Sequence, residues 1–408
     1  MKYCALCCIA KDEDLYLKEW LAYHALIGFE HFIIYDDLSA VPIADLLGDW
    51  ASDECVTIIR HTERRDQIKT YNHCLETYGR NFKWIAFLDL DEFLRLGPVT
   101  AGRETADDPW QSDIRIFLSE FEPYAALGLN WRMFSWGGHE TTPEGPVIGS
   151  YTRTLGDDVH IKTIVQPARI FNCAGAHSFN PLPGHHTVNA DHFPIPPGFP
   201  FTVPATSRAA INHYFYKSRQ CFEMKVARGN PCNIERSMKE FDDHLGQPET
   251  RDESLLPWSG SVSRACAGGS MPLAPVPRKV PRDQHGDESP DDLTSAQTCV
   301  RMAREQKGEE ARRTLRQALL FMAGVSALND ADGMPDPLIS MELWTLRAEA
   351  AILCGQTGLA EFFLKQAFIC GPSRHAYSEL ATLLLRSGRQ NDAKQVLGIF
   401  RKFKELSE

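Results

Sequence analysis

Four short apolar runs, each closed by a polar cluster, set the fold class of this chain. They occupy residues 3–9, 31–35, 55–59 and 82–88. Between the first two, Leu15, Leu17, Leu21, Ala22, Ala25 and Leu26 recur at helical spacing. Acidic residues suit the start of that helix, and Gly28 ends it. A short helix before the third run and a helix over about 65–78 complete an alternation of strand and helix. Strands that are apolar throughout are buried on both faces, so the pattern predicts a parallel α/β sheet covered by helices. Ligands of such sheets bind beyond the carboxyl ends of the strands. That rule places Ala10, Lys11 and Glu13, then Asp36 and Asp37, then Asp89, Asp91 and Glu92 along one edge.

The last of these clusters is the most demanding. In W-I-A-F-L-D-L-D-E-F, starting at Trp84, three carboxylates fall within four positions of the greasiest segment. Two carboxylates about 5 Å apart repel by roughly 3 kcal/mol at an effective dielectric near 20. A cation, basic side chains or water must compensate them. Residues i and i+2 after a strand point the same way, so Asp89 and Asp91 can reach one divalent cation while Leu90 turns inward. Mg²⁺ or Mn²⁺ takes carboxylate oxygens together with substrate phosphates. The alternative is an acidic loop capping a helix that starts near Phe93. Asp36 and Asp37 sit where a nucleotide-binding sheet puts an acidic group on ribose or base; the alternative there is a turn cap, with Ser39 and Pro42 nearby. Backbone N–H groups at Ala10–Glu13, with Lys11, could face a diphosphate or a base.

At 408 residues the chain has room for two domains. Hydrophobic residues at 43% and charged residues at 24% match a soluble globular protein. A net charge of −11 argues against a general nucleic-acid binder, and the one basic cluster, residues 60–65, is short and interrupted by Glu63. No run reaches the ~20 apolar residues of a membrane span. The N-terminus is too quickly charged for a signal peptide. A cytoplasmic protein is expected, with the inner face of a membrane as the alternative address. Of twelve cysteines only Cys4, Cys7 and Cys8 cluster, without the second pair a zinc site needs.

Downstream the pattern loosens. A helix is expected over 113–121, strands over 125–131 and 162–166, a loop rich in Gly, Pro and His over 175–200, a strand or turn at 211–216 and a helix over 218–227. Residues 246–295 are rich in Pro, Gly, Ser and charge, and predict a disordered linker. Beyond it the chain is helical. Ala348, Gly355 and Ala360 recur as Ala381, Gly388 and Ala393, a tetratricopeptide-like period that leaves a plain helical hairpin as the alternative.

Residues 8–37, C-I-A-K-D-E-D-L-Y-L-K-E-W-L-A-Y-H-A-L-I-G-F-E-H-F-I-I-Y-D-D, resemble the opening of family 92 and related family 2 glycosyltransferases. In that group a K-[ND]-E segment and an E-W-x-x-[YH]-H helix lead to an acidic pair. W-I-A-F-L-D-L-D-E-F resembles the group's D-x-D segment. F-S-W-G-G-H from Phe134, Y-T-R from Tyr151, K-T-I-V-Q-P from Lys162 and I-N-H-Y-F-Y-K-S from Ile211 also resemble family segments. The resemblance covers roughly residues 3–245 and leaves the rest unexplained. It implies a GT-A fold, a nucleotide-sugar donor and a divalent metal, Mn²⁺ or Mg²⁺, at Asp89 and Asp91, with His213 as a further ligand. It also implies that Asp36 or Asp37, with Ala10, Lys11 and Glu13, holds the nucleoside and that Lys217 meets a phosphate. Asp12 departs from the usual Asn of K-N-E and adds a negative charge near a diphosphate site.

Glycosyl transfer needs the leaving diphosphate neutralised, which a bound metal does. It also needs a base near the acceptor hydroxyl, for which Glu140 and Asp191 are the candidates. His177, His185, His186 and His192 match no metal template and suit a polar loop on the acceptor side. The expected function is therefore metal-dependent, inverting transfer of a sugar to a saccharide or lipid-linked acceptor. The rival from another class is a non-catalytic scaffold whose C-terminal helices bind a protein partner. A phosphatase using an aspartyl nucleophile fits poorly, since its D-x-D box usually ends the first strand.

Overall fold

The computed structural model describes residues 1–62, 66–97, 113–182, 185–228, 236–275 and 374–390, with single positions between 344 and 364 and between 393 and 397. Two compact units emerge. One spans residues 1–282 apart from 183–185 and 191–193; the other comprises those two short pieces and 283–408.

The first unit is built on an eleven-stranded mixed sheet. Its parallel heart follows the expected alternation: β1 (Lys2–Ala10), α1 (Leu17–Leu26), β2 (His31–Asp36), α2 (Ile43–Leu47), β3 (Val56–Arg60), α3 (Gln67–Tyr78) and β4 (Phe82–Phe87). The order β4-β1-β2-β3 is parallel throughout. Ala5 and Cys7 of β1 join a core with Tyr71 and Cys74 of α3. Cys4, Leu6 and Cys8, pointing the other way, are equally buried. Covered on both faces, β1 must be apolar along its length, and its clustered cysteines serve as small core residues.

Next come β5 (Glu92–Leu96), α4 (Ile114–Ser119), β6 (Ala126–Phe134), α5 (Val147–Ser150), β7 (Arg153–Val165), β8 (Ile170–Gly175), β9 (Ser178–Pro181), β10 (Thr187–Asn189), β11 (Pro194–Ile195) and β12 (Ala209–His213). β7 inserts antiparallel between β4 and β6 and starts well before the expected residue 162. Its outer half alternates in exposure rather than being continuously apolar, which hides it from an apolar-run reading. β12 pairs with both β5 and β6 and so ties the D-x-D strand to the second half of the sheet. Residue 93 lies in this strand, not in a helix, so the helix-cap alternative for the acidic loop fails.

Beyond α6 (Arg219–Arg228) and α7 (Met238–Asp242), the first part of the expected linker is folded. β13 (Thr250–Arg251) pairs with β7, and α8 (Ser259–Cys266) packs along α1. Trp50 Nε1 donates to the Gly268 carbonyl at 3.2 Å, Arg115 to that of Pro275 at 2.7 Å, and Ala274 N–H to that of Ala25 at 3.1 Å. Such a segment needs no periodicity, because long-range hydrogen bonds from the domain satisfy its backbone. Residues 276–295 lie outside the described residues.

In the second unit α9 (Arg374–Arg386) is described together with part of its surroundings. Ala348, Ala360, Ala381 and Ala393, the small residues of the repeat, are all buried in one cluster with Phe363, Leu364 and Leu384. Gly388 has φ of 73°, a turn conformation that glycine adopts without a Cβ penalty. Gly355 lies outside the described residues.

Candidate active site

The acidic tip follows β4. Leu88 and Leu90 are buried, and the turn closes with Glu92 N–H donating to the Asp89 carbonyl at 3.1 Å. Four side chains of α1, the E-W-x-x-Y-H stretch, hold what surrounds it. Trp20 Nε1 donates to the Glu92 carbonyl at 2.8 Å, and Tyr23 OH to that of Leu94 at 2.6 Å. His24 donates from Nδ1 to the Trp20 carbonyl at 2.8 Å and accepts Leu94 N–H on Nε2 at 3.3 Å. Burial pushes this imidazole down to about 3, which keeps it neutral and free to accept. Glu19 accepts Val147 N–H at 2.8 Å and Ile148 N–H at 3.2 Å, capping α5. These side chains of α1 thus position β5 and α5.

Glu19 carries a pH signature. Burial, only partly offset by those two N–H groups and by Lys217, pushes its carboxyl from 4.5 up to about 7. The folded state therefore binds this proton more tightly than the unfolded one, so stability is full below 4.5 and falls as pH rises through 7. The expected loss is on the order of 3 kcal/mol between those limits. Urea midpoints of the parent and of Glu19→Gln at pH 5 and pH 8 test it. The parent should lose more than the variant, and equal losses would remove Glu19 as the cause.

Two lysines meet the three tip carboxylates. Lys162 of β7, fully buried, donates to Asp89 Oδ2 at 2.7 Å and lies 3.5 Å from Glu92 Oε2. Glu92 also accepts Trp131 Nε1 at 2.8 Å and Asp89 N–H at 2.9 Å. Burial, outweighing Lys162, pushes the Glu92 carboxyl well up. Asp91 meets Lys225 of α6 at 2.7 Å and His213 Nε2 at 3.5 Å. Burial alone would raise its carboxyl, but Lys225, His213 and Lys217 together hold it well below the usual range. The two aspartates thus diverge to different partners.

Asp91 borders a cleft of about 280 Å³, with Asp12, Tyr16, Lys217, Lys225 and Arg228 among its walls. Three of these are cations. Lys217 Nζ also lies 4.0 Å above the Tyr16 ring, and Arg228 pairs with Glu13 at 2.6 Å. Asp12 and Lys217 both adopt left-handed backbone, with φ of 50° and 51°. Asn and Asp tolerate that conformation best among residues with a side chain. Asp12 meets that requirement as Asn would, and its Oδ1 accepts Ala40 N–H at 2.7 Å while its N–H donates to Ser39 Oγ at 3.1 Å. These two bonds pin the loop after β2.

The other expected residues divide. Glu13, Asp91 and Lys217 line the cleft, and His213 stands behind Asp91. Asp36 does not face it. Its carboxylate accepts Ser39 N–H at 2.8 Å, Ile43 N–H at 3.3 Å and Arg60 at 3.0 Å, the turn cap that was the alternative reading. Asp37 is buried against His61 at 3.3 Å. Ala10 is buried and accepts Asp37 N–H, and the carbonyl of Lys11 accepts from Arg228. Glu140 is exposed and is not among the cleft's walls. Asp191 is half-buried and belongs to the other compact unit. Of the basic cluster at 60–65, residues 63–65 lie outside the described residues.

Lys162, Lys225 and Arg228 went unflagged. Lys162 opens K-T-I-V-Q-P, and a lysine inside an apolar strand was a usable sign. Lys225 and Arg228 are three apart on α6, the spacing that puts side chains on one face of a helix.

Asp91 and His213, 3.5 Å apart, are the ligand types that could hold one divalent ion, with Lys225 as the competing cation on Asp91 at 2.7 Å. Burial disfavours the charged form of His213 and so leaves a neutral nitrogen for that ion. Among the described residues no three His, Cys, Asp or Glu side chains converge as a metal cluster. A divalent ion held here would take Asp91 and His213 and would need phosphate and water oxygens to complete its shell. Asp89, the other aspartate expected at the metal, is held by Lys162 at 2.7 Å in this structure.

Among the described residues no helix is long and apolar enough to cross a membrane. A glycosyltransferase family 92 protein of Ricinus communis is 26% identical over 225 residues, 54% of this chain and 36% of its own length. The galactan beta-1,4-galactosyltransferase GALS2 of Arabidopsis thaliana is 34% identical over 88 residues, 19% of this chain and 17% of its own. The chain thus spans about a third of the length of the first of these relatives. Staphylococcus aureus TarS 1–349 in complex with UDP-GlcNAc aligns at a TM-score of 0.31 and 13% identity, over 90% of this chain and 92% of that one, too loosely to bear on the fold. The profile of glycosyltransferase family 92 matches residues 3–252, and the chain belongs to that family.

Proposed function

We propose that this protein transfers a sugar from a nucleoside-diphosphate donor to a saccharide or lipid-linked acceptor by direct, inverting displacement, using Mn²⁺ or Mg²⁺ at Asp91 and His213. The observation that carries the reading is the convergence of Lys217, Lys225 and Arg228 on a cleft bordered by Asp91 at the carboxyl end of the parallel strands. A diphosphate is the ligand such a cluster suits, and fixed cations aimed at a leaving group stabilise the charge that develops on it. The bound metal would add Lewis-acid neutralisation of the same oxygens. Lys225, now on Asp91, and Lys217, over Tyr16, are placed to turn toward the phosphates. Tyr16 closes one wall and limits water. The C-terminal helical unit is assigned in this proposal to a tetratricopeptide-like surface for a protein partner, a reading supported by the buried alanines of its repeat.

Nucleotide release across UDP-, GDP- and CMP-sugars tests the reading. The name of the GALS2 relative makes activated galactose the first sugar to try. Release from one diphosphate sugar is expected, with none from the monophosphate CMP-sugars, and EDTA should abolish it until Mn²⁺ is restored. Release unaffected by EDTA would remove the metal. Failure to bind any nucleotide would favour the scaffold.

A further inference from the structure

The two lysines of the acidic tip differ in their freedom to move. Lys162 has no exposed surface, is shared between Asp89 and Glu92, and is not among the walls of the cleft. Lys225 is one of those walls, and its side chain keeps 18% of its surface exposed. Its Nζ donates to Asp91 Oδ2 at 2.7 Å and to the Phe215 carbonyl at 3.1 Å, and lies 3.9 Å from the centre of the Phe215 ring. Phe215 also lines the cleft, so its carbonyl and ring keep the ammonium beside the cleft once Asp91 lets go. The helix that carries Lys225 is pinned three residues further on. Arg228 pairs with Glu13 at 2.6 Å and donates to the carbonyls of Lys11 at 2.9 Å and Asp12 at 3.1 Å. A displacement of Lys225 is therefore made by its flexible four-carbon stem and not by α6.

Resting on the reading that a divalent ion and a nucleoside diphosphate share this cleft, we infer that Lys225 is a displaceable counter-ion that couples their binding. With the cleft empty it neutralises Asp91 and competes with the ion for that carboxylate. Asp91 turns Oδ2 to Lys225 and Oδ1 to His213, 3.5 Å from Nε2. An ion held by Asp91 and His213 therefore stands next to the ammonium, and like charges that close repel strongly where water is scarce. Lys225 relieves this by turning to an anion, which on the transferase reading is the diphosphate. Either ligand alone leaves one repulsion standing. The ion faces the stranded ammonium, and the diphosphate faces the Asp91 carboxylate at the border of the cleft. Together they remove both. The coupling is reciprocal: the ion tightens the diphosphate by the same factor as the diphosphate tightens the ion.

Two titrations of the parent, Lys225→Met and Lys225→Arg test the inference: Mn²⁺ alone, followed by the electron paramagnetic resonance of the free ion, and UDP or GDP with and without Mn²⁺, followed by calorimetry. The parent should bind one of the two nucleotides roughly ten- to a hundredfold more tightly with Mn²⁺, the range of linked sites. Lys225→Met should move the two ligands in opposite directions, with Mn²⁺ alone roughly fivefold or more tighter and nucleotide with Mn²⁺ weaker by a similar factor. A damaged fold weakens both, so opposite signs identify a competitor. Lys225→Arg keeps a cation on Asp91 and should hold Mn²⁺ no more tightly than the parent. Acetylation of Lys225 in the parent, read by mass spectrometry, decides the matter if Lys225→Met does not fold. Saturating Mn²⁺ alone should speed it, and Mn²⁺ with nucleotide should slow it. Mn²⁺ binding in folded Lys225→Met no tighter than in the parent, or acetylation unmoved by either addition, overturns the coupling. If the parent still binds nucleotide, the transferase reading stands. A parent that binds neither nucleotide removes that reading and the coupling with it.

Discussion

Lys162→Met will unfold at a lower urea concentration than the parent, with a loss of about 3 kcal/mol at pH 8, the lower end of what breaking a buried ion pair costs. Lys162 has no exposed surface and faces two carboxylates, one of them also fully buried. Methionine fills the same space, so the loss is electrostatic. Asp89 is 41% exposed and can recover some hydration, which keeps the figure from rising further. Glu92 has no such recourse: burial already pushes its carboxyl well up with Lys162 in place, and losing that cation favours the protonated form further. The penalty should therefore shrink at pH 5, where protons are plentiful, and Glu92→Gln in the Lys162→Met background should return part of it. A loss under about 1 kcal/mol at pH 8, the range of an exposed pair, would mean that Lys162 does not compensate the tip.

Asp91→Asn should lower transfer by roughly 10²–10³-fold, the range for removing one preorganised electrostatic group. The substitution keeps the shape of the side chain and leaves the bond from Tyr214 N–H to the Asp91 carbonyl at 2.8 Å intact. Stopped assays of product formation, with and without EDTA, separate the roles. In the parent, chelation should cost most of the activity; in Asp91→Asn the residual rate should barely respond, because its metal mount is already gone. Transfer within about threefold of the parent would place the centre elsewhere, since so small a change is below the effect of any such group. Asp89→Asn offers the contrast. Its carboxylate is held by Lys162, so the consequence should fall on stability before chemistry.

The parallel heart of the sheet was legible because its code is local. Residues 3–9, 31–35, 55–59 and 82–88 became β1 to β4 within a residue or two, since a strand buried on both faces has to be apolar along its length. β7 was missed over its first nine residues for the converse reason: its outer half is open and alternates. Glu19, Trp20, Tyr23 and His24 could be recognised as a motif but not understood, because their partners lie in β5 and α5, about 70 and 128 positions away. Asp36 misled for a related reason. An acidic residue at a strand end looks the same whether it faces a ribose or caps its own turn.

From its own letters the chain announced a strand that aims Asp89, Leu90 and Asp91 at the carboxyl edge of an α/β sheet, and the need to compensate their charge. Periodicity and burial carry that information along neighbouring residues. Which cation meets which carboxylate was settled only by folding. Lys162 arrives from a strand that inserts antiparallel, and Lys225 from a helix more than a hundred residues downstream. The sorting of Asp89 to a buried lysine and Asp91 to the cleft is likewise tertiary. Electrostatic energy depends on distance and local dielectric, and neither is written in the order of the residues.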